Sequence, residues 1–126
     1  MTLPKAWRVA VIGSQGYPDA NRRIYARLKL LRDDWPRATF HIITATTGTV
    51  ASAALRAAKK LGMSYSALAD GPVTEAERVL TYWDFVCLDT ARQVRIALEL
   101  GIHTEIWNAE NEPDGPRGAE KCMGME

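Results

Sequence analysis

Three short segments hold the residues best suited to handling a small anion: Gly13-Ser14-Gln15-Gly16, Thr44-Ala45-Thr46-Thr47-Gly48-Thr49 and Asp89-Thr90. In the first, the glycines let the backbone turn tightly and bring N–H groups toward a ligand, while Ser14 and Gln15 supply side-chain donors. The second presents four hydroxyls ahead of a helix N-terminus, a combination suited to phosphate or ribose; in the plainer reading one threonine caps the helix and the others satisfy the turn. In the third, Asp89 either caps the helix that follows or accepts a bond from a ligand hydroxyl. Arg22 and Arg23 open the helix after the first segment, where positive charge has the wrong sign unless an anion or solvent compensates. They are therefore either anion contacts or solvated surface.

Other chemistries find less support. G-x-x-G without a third glycine, and without an acidic residue after the second strand, is no dinucleotide fingerprint, and the Gly-Lys-Ser/Thr of a Walker A loop is absent. His41 and His103 are expected to lie far apart, and no His/Cys/carboxylate cluster has ligand spacing, so neither a metal nor a required cofactor is expected. Cys87 sits in an apolar run and reads as a small core residue; Cys122 falls in a polar tail. Two cysteines make no disulfide framework and point to a reducing compartment. A net charge of +1 makes no case for nucleic acid or a membrane surface. No apolar run reaches the roughly 18 residues of a membrane span, and residues 1–5 lack a signal-peptide core, so a cytoplasmic location is expected.

The elements that must position these residues follow from hydrophobic period. A chain of 126 residues, 47% hydrophobic and 25% charged, suits one globular domain, expected over residues 1–107 with a flexible polar tail over 108–126. Trp7 to Ile12 reads as a strand buried on both faces. Asp19 then caps a helix carrying Ile24, Leu28, Leu31 and Trp35 on one side, ended by Pro36. Thr39 to Thr44 is a second strand, and an alanine-rich helix runs to Leu61 and closes at Gly62. Met63 to Leu68 offers a short strand. Thr74 and Glu77 have capping-box spacing for a helix over Thr74 to Leu80. Trp83 to Leu88 reads as the fourth strand, Thr90 to Leu100 as a helix with Val94, Ala97 and Leu98 inward, and Ile102 to Trp107 as the fifth. Strand and helix alternate, which predicts an α/β fold with a doubly wound, Rossmann-like, five-stranded parallel sheet and helices on both faces. The order 3-2-1-4-5 is natural, though pattern alone leaves 2-1-3-4-5 open. In either, the three segments meet at the carboxyl ends of the strands.

Residues 8–19, Arg8-Val9-Ala10-Val11-Ile12-Gly13-Ser14-Gln15-Gly16-Tyr17-Pro18-Asp19, resemble the opening of the SLOG superfamily, which includes lonely-guy cytokinin-activating proteins and DprA/Smf-like proteins; the YspA-like branch is the most similar. Ile42 to Gly62 is similar to that family's second segment, and Thr90 to Gly101 to its closing helix. The resemblance implies a pocket for a nucleotide or nucleotide-derived ligand. It departs from the pattern where Ala45-Thr46-Thr47-Gly48 replaces consecutive glycines and where Asp89-Thr90 shortens a glycine-rich loop. Lonely-guy hydrolases place a catalytic glutamate three residues after that threonine; here the position is Gln93, and a neutral amide cannot act as a general base.

The first expectation is therefore a module that binds or senses a small phosphorylated, nucleotide-like ligand. Cleavage of an N-glycosidic or phosphoribosyl bond, with Asp89 as the carboxylate, is the alternative; a scaffold kept for interaction alone is the third. Trp35 and Trp107, at element ends, are candidates for a homodimer contact.

Overall fold

The computed structural model of the chain describes residues 6–68 and 72–108. The expected tail, apart from Asn108, and Cys122 within it lie outside the described residues. Strand β1 (Ala6–Gly13) is the centre of the sheet. Val9 and Val11 project to one face and Ala10 and Ile12 to the other, and none is more than 6% exposed. That is what period-two alternation gives when both faces are covered. Around it the order is β3-β2-β1-β4-β5, every pair parallel, which removes the alternative order.

Helix α1 (Ala20–Asp34) and helix α2 (Thr49–Leu61), which flank β2 (Thr39–Thr44), pack on one face and against each other. The stripe Ala53, Ala54, Ala57 and Ala58 on α2 is almost fully buried, so its backbone can lie close to the sheet. After β3 (Ser64–Ala67), the opposite face is covered by a 3₁₀ turn (Pro72–Glu75) and by α3 (Leu88–Glu99), over a core of Ala10, Ile12, Val73, Val79, Val94 and Ile106. β5 (His103–Trp107) closes one edge.

The structure departs from the sequence reading mainly between residues 74 and 88. No helix spans Thr74 to Leu80: the 3₁₀ turn ends at Glu75, and β4 is Arg78–Tyr82. Glu77 does not serve a capping box. Its N–H donates to the Arg8 carbonyl (2.8 Å) and its Oε1 accepts the Arg8 N–H (3.0 Å), so it leads the chain into the sheet beside β1. Trp83 to Cys87, expected as a strand, is a loop, and Leu88 is already helical. Phe85 has a φ of 65°, and Phe85, Val86 and Leu88 are all exposed.

Smaller corrections follow the same logic. Asp19 occupies the N-cap of α1 but makes no side-chain cap; its carboxylate pairs with Arg22 (3.1 Å). Trp35 and Leu98 are exposed rather than inward. Trp107 is 2% exposed and stacked on Tyr82, so it offers no dimer contact, and Cys87 is a half-buried loop residue rather than core. His41 and His103 do lie apart, on β2 and β5 with two strands between them, and His41 is bridged to Ser64 and Ser66 (2.8 and 2.9 Å).

Among the described residues one charged side chain is buried, on the face of the sheet that α1 and α2 cover. Glu105 on β5 is 3% exposed and holds both nitrogens of the Arg27 fork, with Arg78 at 3.6 Å and the Trp107 indole N–H at 3.2 Å. Burying a carboxylate demands such partners. Among the described residues no helix is long and apolar enough to cross a membrane.

Candidate functional site

A cleft of 310 Å³ opens beyond the carboxyl ends of β1 and β2, between the N-termini of α2 and α3. Gly13 and Gln15 line it from the first segment, Thr46, Thr47 and Gly48 from the second, and Asp89 and Thr90 from the third. The sheet explains the convergence, because parallel strands deliver every following loop to the same edge. A separate depression of 170 Å³ lies at the opposite, amino-terminal edge, where Arg8 and Arg78 join the apolar side chains of Trp7, Leu31, Trp35 and Phe40.

Three of the expected residues serve the scaffold instead. Ser14 donates its N–H to the Tyr82 carbonyl (2.9 Å); its hydroxyl donates to Asp84 Oδ1 (3.0 Å) and accepts the Asp84 N–H (3.0 Å). The same Oδ1 accepts the N–H groups of Val86 (2.8 Å) and Cys87 (2.9 Å). Those backbone donors, Cys87 first and then Val86, hold the Asp84 carboxyl below the ordinary carboxylate range, with Ser14 adding to them. Gly16 gives its N–H to Thr49 Oγ1 (2.9 Å), tying the first loop to the first turn of α2. Loop β1–α1 is thus fastened to both other loops, one on each side. Thr44, at the end of β2, donates its hydroxyl to the Val11 carbonyl (3.0 Å) and is likewise engaged.

Gly13 marks the closest approach. A Cβ there would sit 2.3 Å from the Tyr82 carbonyl oxygen and 2.6 Å from Val50 Cγ2, so only glycine lets β1, β4 and α2 meet at the head of the cleft.

What faces the cleft is less fully bonded. α2 starts at Gly48, which has no side chain to cap it, and carries no acidic residue in its first turn; α3 starts at Cys87, also without a side-chain cap, and carries Asp89 in its first turn, paired with Arg92. Two helix N-termini with their positive dipole ends therefore open on one cavity. Arg92 and Cys87, which the sequence reading did not select for the site, line it too. Arg92 pairs with Asp89 at 2.8 Å, both well exposed. Their signal was available: once residues 83–87 are a loop, positions 87–93 wrap the N-terminus of α3. Arg22 and Arg23 do not line the cleft; Arg22 faces a different depression, with Tyr17 and Arg56.

Gln93 lines the cleft and is 8% exposed, and its Oε1 is buried with no hydrogen-bond partner. Among the described residues no group of three or more His, Cys, Asp or Glu side chains is placed to hold a metal ion. Compared with protein-family models, curated proteins and solved structures, the chain finds no match, and what is shown is an architecture: a five-stranded parallel α/β sheet of Rossmann-like type.

Proposed function

We propose that the domain binds a small phosphorylated, nucleotide-like molecule in this cleft, its anionic group held at the N-termini of α2 and α3 with Arg92 and the hydroxyls of Thr46 and Thr47 as side-chain donors. The observation that carries the reading is the convergence of two helix N-termini, neither capped by a side chain, on one polar cavity. Size narrows the class. At 310 Å³ the cleft lies at the lower end of the roughly 300–1,000 Å³ typical of ligand pockets, which favours a sugar phosphate or mononucleotide over a dinucleotide.

The strand order and the Gly13 turn support the SLOG-like reading of residues 8–19. Gln93, standing where lonely-guy hydrolases carry a glutamate, favours binding over turnover, because an amide takes up no proton at neutral pH. Thermal unfolding with inorganic phosphate, ribose 5-phosphate, AMP and ADP-ribose tests the proposal. A ligand at about 100 times its Kd stabilises the fold by about 2.7 kcal/mol, and an unchanged transition with all four at millimolar concentration refutes it. Free base released from AMP in the same solutions would replace binding with hydrolysis.

A further inference from the structure

Between α1 and α2, on their solvent side, the surface is grooved and basic. A depression of 410 Å³ is lined by Tyr17, Arg22, Ser52 and Arg56. A second, of 160 Å³, continues it to Tyr25 and Lys60, and the two share Asn21 and Arg56. Helix α2 carries Arg56, Lys59 and Lys60 and no acidic residue. Asp19 is the one carboxylate among the described residues that line the groove, and it is paired with Arg22 at 3.1 Å. Arg56 and Lys60 stand four residues apart on α2, about 6 Å along its axis, and Lys60 Nζ lies 5.9 Å from the centre of the Tyr25 ring. Cations gathered in one concave surface repel one another and attract an anionic partner.

The sequence supplies such a partner where the chain leaves the sheet. After Asn108 it continues Ala109-Glu110-Asn111-Glu112-Pro113-Asp114, with a carboxylate at every second position. Pro113 disfavours a helix at the residue before it, and in an extended chain alternate side chains share one side, about 6.6 Å apart. That interval matches the one between Arg56 and Lys60. The exit point also lies beside the groove. Asn108 follows Trp107, whose ring is stacked on Tyr82 (6.0 Å), and Tyr82 meets Tyr17 edge-on (5.5 Å). Two ring contacts therefore connect the end of β5 to the wall of the groove. At about 3.3 Å per residue, the chain from Asn108 covers roughly 13 Å by Glu112 and roughly 20 Å by Asp114, enough to pass those rings and run along the groove.

We propose that residues 110–114 of this chain dock in the groove between α1 and α2, with Glu110 nearest Arg22, Asp114 nearest Lys60, and Glu112 set against Arg56 between them. Each exposed ion pair is weak alone. A short tether, however, holds the segment at an effective concentration on the order of millimolar, so that three pairs in register act together. The docking does not depend on what the cleft beyond β1 and β2 holds.

Paramagnetic broadening in the full chain tests this. A nitroxide is placed at position 115 by Gly115→Cys, with Cys87→Ser and Cys122→Ser so that the label has one site. At low salt the amide signals of Tyr25, Arg56 and Lys60 should lose most of their intensity, while those of Ile96 and Ile102, on the opposite face of the sheet, keep theirs. At roughly 0.5 M salt, where the Debye length is about 4 Å, the intensity should return. Arg56→Glu/Lys60→Glu should release the segment at low salt, and adding Glu112→Lys/Asp114→Lys should dock it again. Arg56 and Lys60 are exposed, so their reversal leaves the core intact. Broadening that never appears, that survives the reversal in α2, or that fails to return with the exchanged charges overturns the proposal. So does broadening confined to mixtures of nitroxide-bearing chains with isotope-labelled chains that carry no nitroxide, which would place the segment on a second copy.

Discussion

Gly13→Ala should destabilise the fold by about 2–4 kcal/mol, and more than Gly16→Ala, although both glycines belong to one turn. The new Cβ at Gly13 would lie 2.3 Å from the Tyr82 carbonyl oxygen, and real Cβ atoms do not come within 3.0 Å of such neighbours. Val50 can turn its methyl aside, but the carbonyl belongs to the backbone of β4 and cannot. Moving it lengthens the Ser14 N–H bond it accepts at 2.9 Å and loosens the register of Gly13 with Tyr82. Forcing a methyl into a packed site costs about 1–3 kcal/mol, and losing one hydrogen bond adds about 1 kcal/mol. Gly16 is the control. A Cβ there meets nothing within 4 Å, so only its φ of +70° is at issue, worth about 1–2 kcal/mol for a residue with a side chain. Equilibrium urea denaturation of both variants gives the comparison, with the midpoint shift read at constant slope. A Gly13→Ala variant within about 1 kcal/mol of wild type, or one more stable than Gly16→Ala, would refute the close approach as the reason for glycine.

Further expectations rest on other contacts. Arg27→Met leaves Glu105, 3% exposed, with only Arg78 at 3.6 Å and the Trp107 indole, and should cost about 3 kcal/mol by chemical denaturation. The double variant Arg27→Met/Glu105→Gln should recover part of that loss, because no unpaired charge is then buried. Asp84 ionises more readily in the fold than in the unfolded chain, so its contribution is full above the unfolded pKa of about 3.8 and is lost as pH falls through the lower folded value. The stability gap between wild type and Asp84→Asn should therefore be constant near neutrality and narrow below that pH; a gap that widens on acidification would show the sign to be wrong. Cys87 lines the cleft and is half-buried. Its alkylation, followed by peptide mass spectrometry, should slow when ribose 5-phosphate is added, and an unchanged rate at saturating ligand would place the ligand elsewhere.

Most of the fold could be read from local pattern because these elements carry their burial in their own sequence. Val9 to Ile12, the Ile24–Leu28–Leu31 stripe, Thr39 to Thr44 and the alanines of α2 all alternate with the period of the element they form. The stretch from Thr74 to Leu88 did not yield to the same reasoning, since what decides it is distant in the chain. Trp83 to Leu88 has the composition of a buried strand, yet Phe85, Val86 and Leu88 are exposed. Asp84 bends that segment by gathering two local N–H groups and the Ser14 hydroxyl, a partner 70 positions away that no window of sequence contains. The site inherited both outcomes. Thr46, Thr47 and Gly48 fall where period and turn signals put them, whereas Cys87 and Arg92 were hidden by the misplaced strand.

The polar groups around the cleft divide into those that hold its loops together and those that open on it. Behind it, hydroxyls are tied into the scaffold: Ser14 to Asp84, Thr49 to Gly16, Thr44 to Val11. These bonds fix the three loops to one another before anything binds, which lowers the ordering cost that binding would otherwise incur. Gly48 and Cys87 begin α2 and α3 without side-chain caps; the φ of +120° at Gly48 favours glycine there, whereas Ser, Thr, Asp or Asn at position 87 would add about 1 kcal/mol of helix stability. What sets α2 and α3 apart from α1 is placement: their N-termini share one cavity, and an anion held there would meet both dipole ends at once.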